Sequence, residues 1–288
     1  MTINSYVLTL PELSLYISHT CDIGCDSCFT YNNLNWGGHF KPEGHLEKLK
    51  GKVDFETITI LGGEPTTNPH LNEWMTLVDI NWPFHKDKWI VTNGRKLSNI
   101  PSNWNERGWQ LEISAHSPAD LKSVFEWFEK EYPNITYEKF TEQHEDGDTH
   151  YYMRNGIDGP VVGKISEAWF FYKESLIAKP GEVLTWDRLV DAEQAHANCI
   201  ARECMYFLEG RFYRCARQAL LPQLAKTFQI DAQYRELASQ DLGCTVEEFV
   251  EWSKTRLEPQ SQCAFCPWAE IIKLPEVSNS KKIKVLQV

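Results

Sequence analysis

Apolar and polar positions alternate along several short stretches of the chain, and this alternation predicts β-strands. Between some of these stretches the apolar residues recur at helical spacing, most clearly over residues 119–128. The predicted strands cover residues 13–19, 56–61, 88–93, 109–115, 134–141 and 168–172. Because strands that alternate with helices usually pair in parallel, with the helices outside the sheet, this order predicts an α/β fold.

Three cysteines follow the first predicted strand at C-x3-C-x2-C spacing, namely Cys21, Cys25 and Cys28. Three thiolates on one short loop can hold three irons of a four-iron cluster and leave the fourth iron open. A structural zinc site would instead close all four positions with protein ligands. The spacing therefore favours a cluster with one open iron, and three incidental cysteines are the alternative.

A glycine-rich turn, Gly62-Gly63-Glu64-Pro65, closes the second predicted strand. Glycines at a strand end let the backbone approach a ligand closely. The carboxylate of Glu64 supplies an acceptor for an ammonium group. Taken alone, the tetrapeptide is typical of an ordinary turn, and it gains meaning from its place one strand after the cysteine loop.

In this order the cysteine loop and the Gly-Gly-Glu turn resemble the radical S-adenosylmethionine (SAM) superfamily. The resemblance implies that Cys21, Cys25 and Cys28 ligate a [4Fe–4S] cluster whose open iron chelates SAM. It also implies a partial (β/α)6 TIM-like barrel, which we expect over residues 1–180. A small α+β module would then occupy residues 181–288.

The resemblance also implies a set of SAM-binding residues at the ends of the second, third and fourth strands. They are Gly62, Gly63, Glu64, Asn93 and Ser114. The chain departs from the family in one position, since Ser27 stands where the family prefers an aromatic residue before the third cysteine. An aromatic residue, Phe29, follows that cysteine instead.

A second group of cysteines lies near the carboxyl end of the chain. Cys199, Gly210 and Cys215 follow a C-x10-G-x4-C pattern, and Cys263 and Cys266 form a C-x2-C pair. This pattern resembles the twitch module, the shorter relative of the SPASM module of radical SAM enzymes. It implies that these four cysteines hold an auxiliary [4Fe–4S] cluster.

Two alternatives to this ligand set stay open. Cys204 lies closer to the predicted hairpin than Cys199 and could replace it as a ligand. A zinc ribbon could also use the same four cysteines.

Composition adds a cellular setting. The chain has nine cysteines, no apparent signal peptide and no apolar run near 18 residues, which predicts a soluble cytoplasmic protein without a membrane partner. In a reducing compartment cysteines serve more often as metal ligands than as disulfides. A net charge of −11 disfavours, without forbidding, a nucleic acid partner.

These features together predict a radical SAM oxidoreductase. Such an enzyme cleaves SAM reductively, and the 5′-deoxyadenosyl radical abstracts hydrogen from a small-molecule or peptide substrate. The auxiliary cluster would take up an electron, and a flavodoxin or ferredoxin would supply the reducing electrons. The alternatives are a radical SAM enzyme that modifies a nucleoside or nucleic acid, and a non-catalytic zinc-binding interaction protein.

Overall fold

The structure is a computed structural model. It describes residues 8–25, 28–43, 45–83, 85, 87–141, 149–167, 170–172, 176–199, 201–266, 273–275 and 282–288. The strands in its first half are β1 (Leu8–Tyr16), β2 (Val53–Leu61), β3 (Lys88–Thr92), β4 (Trp109–Ala115), β5 (Ile135–Thr141), β6 (Thr149–Asn155) and β7 (Val161–Glu167). Those in its second half are β8 (Phe170–Tyr172), β9 (Leu176–Ile177), β10 (Thr185–Trp186), β11 (Cys204–Leu208), β12 (Arg211–Tyr213), β13 (Cys244–Thr245) and β14 (Lys273–Pro275).

The helices are mostly short. The α-helices are α1 (Leu71–Asn81), α2 (Pro118–Glu131), α3 (Ala192–Ala197), α4 (Ala216–Thr227), α5 (Ala232–Ala238) and α6 (Phe249–Trp252). Single 3-10 turns cover Leu46–Leu49, Pro65–Thr67, Leu97–Asn99, Ser253–Thr255 and Ser261–Phe265. In the described part of the chain, no helix combines the length and apolar character needed to cross a bilayer.

A ten-stranded mixed sheet forms the centre of the described structure, in the order β13-β12-β11-β1-β2-β3-β4-β7-β6-β5. The strands from β11 through β1, β2, β3 and β4 to β7 run parallel. The pairs at the two ends of the sheet are antiparallel. The carboxyl ends of the parallel strands therefore lie along one edge, where ligand-binding loops collect in α/β proteins.

The two longest crossover helices follow the sequence pattern. Helix α1 joins β2 to β3 and buries Leu71, Trp74 and Val78 against the sheet. Helix α2 follows β4 and begins where Ser117 caps its first turn by accepting a hydrogen bond from the N–H of Asp120. The helix predicted over residues 119–128 is thus present.

The expected (β/α)6 TIM-like barrel is wrong. In the described residues β5 and β13 are the two outer strands of an open sheet, and few long helices alternate with the strands. The stretch predicted over residues 134–141 does form β5, but β5 pairs antiparallel with β6, and β6 with β7. A parallel pair needs a crossover of about a dozen or more residues, and residues 156–160 between β6 and β7 are too few for one.

The strand predicted over residues 168–172 is not a sixth barrel strand either. Residues 168 and 169 lie outside the described part of the chain. Residues 170–172 form β8, which pairs with β14 in a separate two-stranded sheet.

Strands from both halves of the chain share the central sheet. β11 lies directly beside β1, with Glu12 opposite Cys204 and Ser14 opposite Tyr206. A second group of buried residues covers this end of the sheet and joins the loop after the first cysteines to helix α4; it includes Tyr31, Trp36, Leu220 and Leu224. The division at residue 180 remains a prediction. Residues from both sides of it pack together in this buried group.

Candidate active site

A cavity of about 240 Å³ lies at the carboxyl ends of β2, β3 and β4. Its lining includes the candidates from the first half of the chain: Cys21, Cys25, Cys28, Gly62, Gly63, Glu64, Asn93 and Ser114. Apolar side chains, among them Ile23, Leu61 and Val91, complete the wall. An apolar cavity with a few convergent polar groups is the usual form of a small-molecule site.

The two glycines are required by a close approach between the ends of β1 and β2. The N–H of Gly63 donates to the carbonyl of Ser18 at 2.7 Å, and the N–H of Glu64 donates to the carbonyl of Thr20 at 2.8 Å. A Cβ atom on Gly62 would lie 2.7 Å from the Ser18 carbonyl oxygen, and one on Gly63 would lie 2.7 Å from that of Thr20. Glycine at both positions therefore ties the turn to the segment that leads into Cys21.

Glu64 is fully buried, and its carboxylate is held by donors from two strand ends. Its Oε1 atom accepts hydrogen bonds from the N–H and hydroxyl of Thr66 and from the hydroxyl of Thr92. Its Oε2 atom accepts from the N–H of Asn93 at 2.7 Å. Burial raises the pKa of Glu64, and these hydrogen bonds oppose the rise. The geometry gives a fixed acceptor at the cavity.

Asn93 connects the end of β3 to the cysteine loop. Its Nδ2 atom donates to Asp22 Oδ1 at 2.7 Å, and its Oδ1 atom accepts from the N–H of Arg95 at 2.9 Å. Ser114, on β4, faces the same cavity. Sequence reasoning missed Asp22, because a carboxylate between two cysteines gives no signal of the strand end that it contacts.

The cysteine loop supplies thiols that are partly or fully buried. Burial raises the pKa of Cys21 to about 12. Cys28 Sγ accepts a hydrogen bond from the N–H of Asn32 at 3.3 Å and lies 3.3 Å from the hydroxyl of Thr30. Asn32, which sequence reasoning also missed, donates from its side chain to the hydroxyl of Tyr16 at 3.0 Å. These contacts fix the path of the loop around the cavity.

The second group of cysteines also comes together. Cys199 follows α3, Cys215 is the N-cap residue of α4, and Cys263 and Cys266 lie in and after the 3-10 turn Ser261–Phe265. Helix α3 packs against that turn. Burial, together with the nearby side chains of Cys263, Cys266 and Cys199, raises the pKa of Cys215 to about 12. The four thiols therefore lie close enough for Cys215 to feel the other three electrostatically.

Cys204 lies close to the same group, because it lines one cavity with Cys199 and the thiols of Cys199 and Cys215 contribute to the rise in its pKa. Its Sγ atom donates to Glu12 Oε2 at 3.2 Å, across the β1–β11 pair. Burial raises the pKa of Cys204, and the carboxylate of Glu12 adds to the rise. The hydrogen bond to Glu12 is the contact that distinguishes Cys204 from the other thiols.

The donor set does not match the requirements of a single metal ion. Among the described residues, no three or more His, Cys, Asp or Glu side chains are arranged to hold one ion. A zinc ion would need sulfur ligands that converge at about 2.3 Å. In a four-iron cluster each thiolate binds its own iron, so the sulfurs surround the cluster without meeting at one point. The two groups of thiols fit iron–sulfur clusters in their donor chemistry.

The profiles of known protein families include none that matches this chain. The chain is similar to the S-adenosylmethionine-dependent nucleotide dehydratase of Flammeovirga pacifica, with 29% identity over 96 residues. The matched stretch covers 31% of this chain and 32% of that protein. The chain therefore matches about a third of the length of the curated relative.

Proposed function

We propose that this protein is a radical SAM enzyme. The observation that carries the proposal is the cavity at the carboxyl ends of β2, β3 and β4, which gathers the three thiols of the cysteine loop and the Gly-Gly-Glu turn. The similarity to a SAM-dependent enzyme adds support for SAM as the bound molecule. A non-catalytic zinc protein would have no need for a buried carboxylate beside its thiols.

In this proposal Cys21, Cys25 and Cys28 hold a [4Fe–4S] cluster, which supplies the electron that cleaves SAM and generates a 5′-deoxyadenosyl radical. Glu64 accepts the SAM ammonium group, because its carboxylate is fixed at the cavity before the ligand arrives. Asn93 and Ser114 orient the more polar parts of SAM. The apolar walls exclude water, which protects a radical from side reactions.

The second group of thiols makes an oxidoreductase the favoured class. Cys199, Cys215, Cys263 and Cys266 would ligate all four irons of an auxiliary cluster and leave no open position for substrate. A site of that kind serves electron transfer, so the net reaction is a two-electron oxidation of a small molecule or peptide. The electron donor belongs to the flavodoxin or ferredoxin class.

A nucleotide substrate is the second candidate. It is favoured by the similarity over 96 residues to a protein named as a nucleotide dehydratase. A dehydration is redox-neutral overall, so this candidate does not require an electron sink. The two candidates therefore differ in whether product formation depends on Cys263 and Cys266.

Anaerobic purification tests the proposal directly. The protein should be brown, should contain about eight irons per chain, and should convert SAM to 5′-deoxyadenosine under a strong reductant. Cys25→Ala should abolish that conversion and keep about half of the iron. Colourless protein that contains zinc, or SAM cleavage retained by Cys25→Ala, would refute the proposal.

A further inference from the structure

The sulfur of Cys28 has two polar neighbours in the segment that follows it. The backbone N–H of Asn32 donates a hydrogen bond to Cys28 Sγ at 3.3 Å. The hydroxyl oxygen of Thr30 lies 3.3 Å from the same sulfur, in a contact where either atom could be the donor. Thr30 is 3% exposed and Asn32 is 1% exposed, so bulk water does not compete for these contacts. The surroundings of this sulfur are therefore set by the chain itself.

The side-chain amide of Asn32 determines the direction of the Thr30 hydroxyl. Its Nδ2 atom lies 2.8 Å from Thr30 Oγ1 and 3.1 Å from the carbonyl oxygen of Thr30. Because a carbonyl can only accept a hydrogen bond, the second contact orients the amide with its nitrogen towards Thr30. The hydroxyl then accepts from Asn32 and keeps its own proton for another acceptor. Cys28 Sγ is an acceptor within reach of that proton.

The amide of Asn32 is anchored in the core of the protein. Its Nδ2 atom also donates to the hydroxyl of Tyr16 at 3.0 Å, at the end of β1. The side chain of Tyr16 is 1% exposed, and its hydroxyl lies 3.2 Å from Nδ1 of His19. A rotation of the amide would leave buried polar atoms without partners, which is unfavourable. The orientation of the Thr30 hydroxyl is thus fixed by contacts outside the cysteine loop.

Ligation of iron would decide which atom donates in the contact between Thr30 and Cys28. A cysteine that ligates a metal is a thiolate, which has no proton to donate. Thr30 must then be the donor, and Cys28 Sγ accepts two hydrogen bonds. Hydrogen bonds to the sulfurs are among the factors that set the reduction potential of an iron–sulfur cluster. They stabilise the more negative, reduced state, so they raise the potential.

We propose that Thr30 is a positioning residue whose hydroxyl donates to the Cys28 thiolate and raises the reduction potential of the first iron–sulfur cluster. The inference rests on the proposed function, since it needs a cluster at Cys21, Cys25 and Cys28. The electron that reduces this cluster comes from a donor of the flavodoxin or ferredoxin class, and no covalent bond forms or breaks in this step. With the hydroxyl in place, the cluster accepts that electron more readily.

The test is an anaerobic redox titration of the full-length holoprotein, followed by EPR of the reduced cluster. The titration is run without SAM, so that a direct contact between Thr30 and SAM cannot affect the result. SAM is added afterwards, and the signal that it changes belongs to the cluster with the open iron. Thr30→Val keeps a branched side chain of similar size and removes the hydroxyl. At the potential that reduces half of the wild-type cluster, the ratio of reduced to oxidised cluster in Thr30→Val should be about tenfold lower, a shift of ~59 mV for a one-electron couple.

Two variants serve as controls. Thr30→Ser keeps the hydroxyl and should retain the wild-type potential. Thr67→Val removes a hydroxyl that donates to the carbonyl of Glu64 at 2.7 Å, and it should also retain the wild-type potential because that hydroxyl does not contact a sulfur. If Thr30→Val does not assemble the cluster, Thr30→Ala, which also lacks the hydroxyl, replaces it in the test.

The outcomes separate this inference from the proposed function. A SAM-responsive cluster in every variant, with the wild-type potential in Thr30→Val, would refute the role of Thr30 alone. An equal decrease in potential in Thr30→Ser and Thr30→Val would also refute it, because the hydroxyl would not be the cause. A wild-type protein without a SAM-responsive cluster would refute the proposed function, and this inference with it.

Discussion

The carboxylate of Glu64 accepts a 2.7 Å hydrogen bond from the backbone N–H of Asn93, and this contact joins the end of β2 to the end of β3. The side chain of Asn93 continues the connection to Asp22 in the cysteine loop. Three separate parts of the chain are therefore assembled around one buried carboxylate. A change at Glu64 should affect both ligand binding and the shape of the cavity.

Glu64→Gln should weaken SAM binding by about 1.5–3 kcal/mol, the usual value of a hydrogen bond to a charged group. The amide cannot pair with an ammonium ion, and its NH2 group would meet an N–H or hydroxyl donor. Anaerobic calorimetry with SAM measures the change. Thr66→Val is the matched control, because it removes one donor to Glu64 and keeps the carboxylate. Equal affinity for SAM in the wild type and Glu64→Gln would show that the Gly-Gly-Glu motif is only an ordinary turn.

Cys199→Ala and Cys204→Ala should differ in iron content. Both thiols lie near Cys215, but the Cys204 thiol donates a hydrogen bond to Glu12. We expect Cys199→Ala to lose the auxiliary cluster, about half of the iron, and Cys204→Ala to retain it. Iron analysis with EPR of the reduced protein measures both. The opposite result would make Cys204 the ligand.

Gly63→Ala should destabilise the protein and disturb the first cluster. Its Cβ atom would lie 2.7 Å from both the Thr20 carbonyl oxygen and Asn32 Oδ1, so the two loops would have to separate. Overpacking of this kind costs about 1–3 kcal/mol. Denaturant unfolding and iron analysis measure the two effects. Gly37→Ala is a milder control, since its Cβ atom would meet only the Thr20 hydroxyl at 3.3 Å.

As the pH decreases, the free energy of unfolding of the protein should also decrease, in part because of His19. Burial lowers the pKa of this imidazole to about 4 from 6.5, and its ring stacks on Trp36 at 4.1 Å. A depressed histidine pKa contributes stability above the unfolded pKa, and this contribution is lost as the pH falls from 6.5 towards 4. Between pH 7.5 and 5.5 the loss is about 1 kcal/mol, at 1.36 kcal/mol per pKa unit.

His19→Phe keeps a ring against Trp36 and removes the titration. Its free energy of unfolding should therefore fall less than that of the wild type over this range, by about 1 kcal/mol. Denaturant unfolding of both proteins at the two pH values measures the difference. Parallel decreases would show that His19 does not carry this dependence.

The composition of the candidate site could be predicted because its residues follow strands that run parallel. The carboxyl ends of such strands meet at one edge, so the sequence predicts that Cys21, Glu64, Asn93 and Ser114 lie close together. The contacts of Asp22 and Asn32 could not be predicted, because they depend on the path of a loop through space. Such a loop has no periodic pattern of apolar and polar residues from which its path could be predicted.

The layout of the sheet was less predictable than its strands. The stretch of residues 134–141 has the alternation of a strand, but its direction depends on the short connection between β6 and β7. The pairing of β1 with β11 also gave no local signal, because the partners are far apart in sequence and any β-rich run could have taken that position. Propensity identifies strands, and long-range packing selects their neighbours.

The position of β1 between β2 and β11 has a consequence for how the protein folds during its synthesis. A ribosome releases β1 and β2 long before residues 204–207, which complete the other side of β1. Until then β1 presents a row of unpaired N–H and C=O groups, the kind of edge on which chains aggregate. Non-local pairings of this type form slowly. A fragment that stops at residue 180 would keep this edge permanently, so we expect it to require chaperones or to precipitate when it is expressed alone.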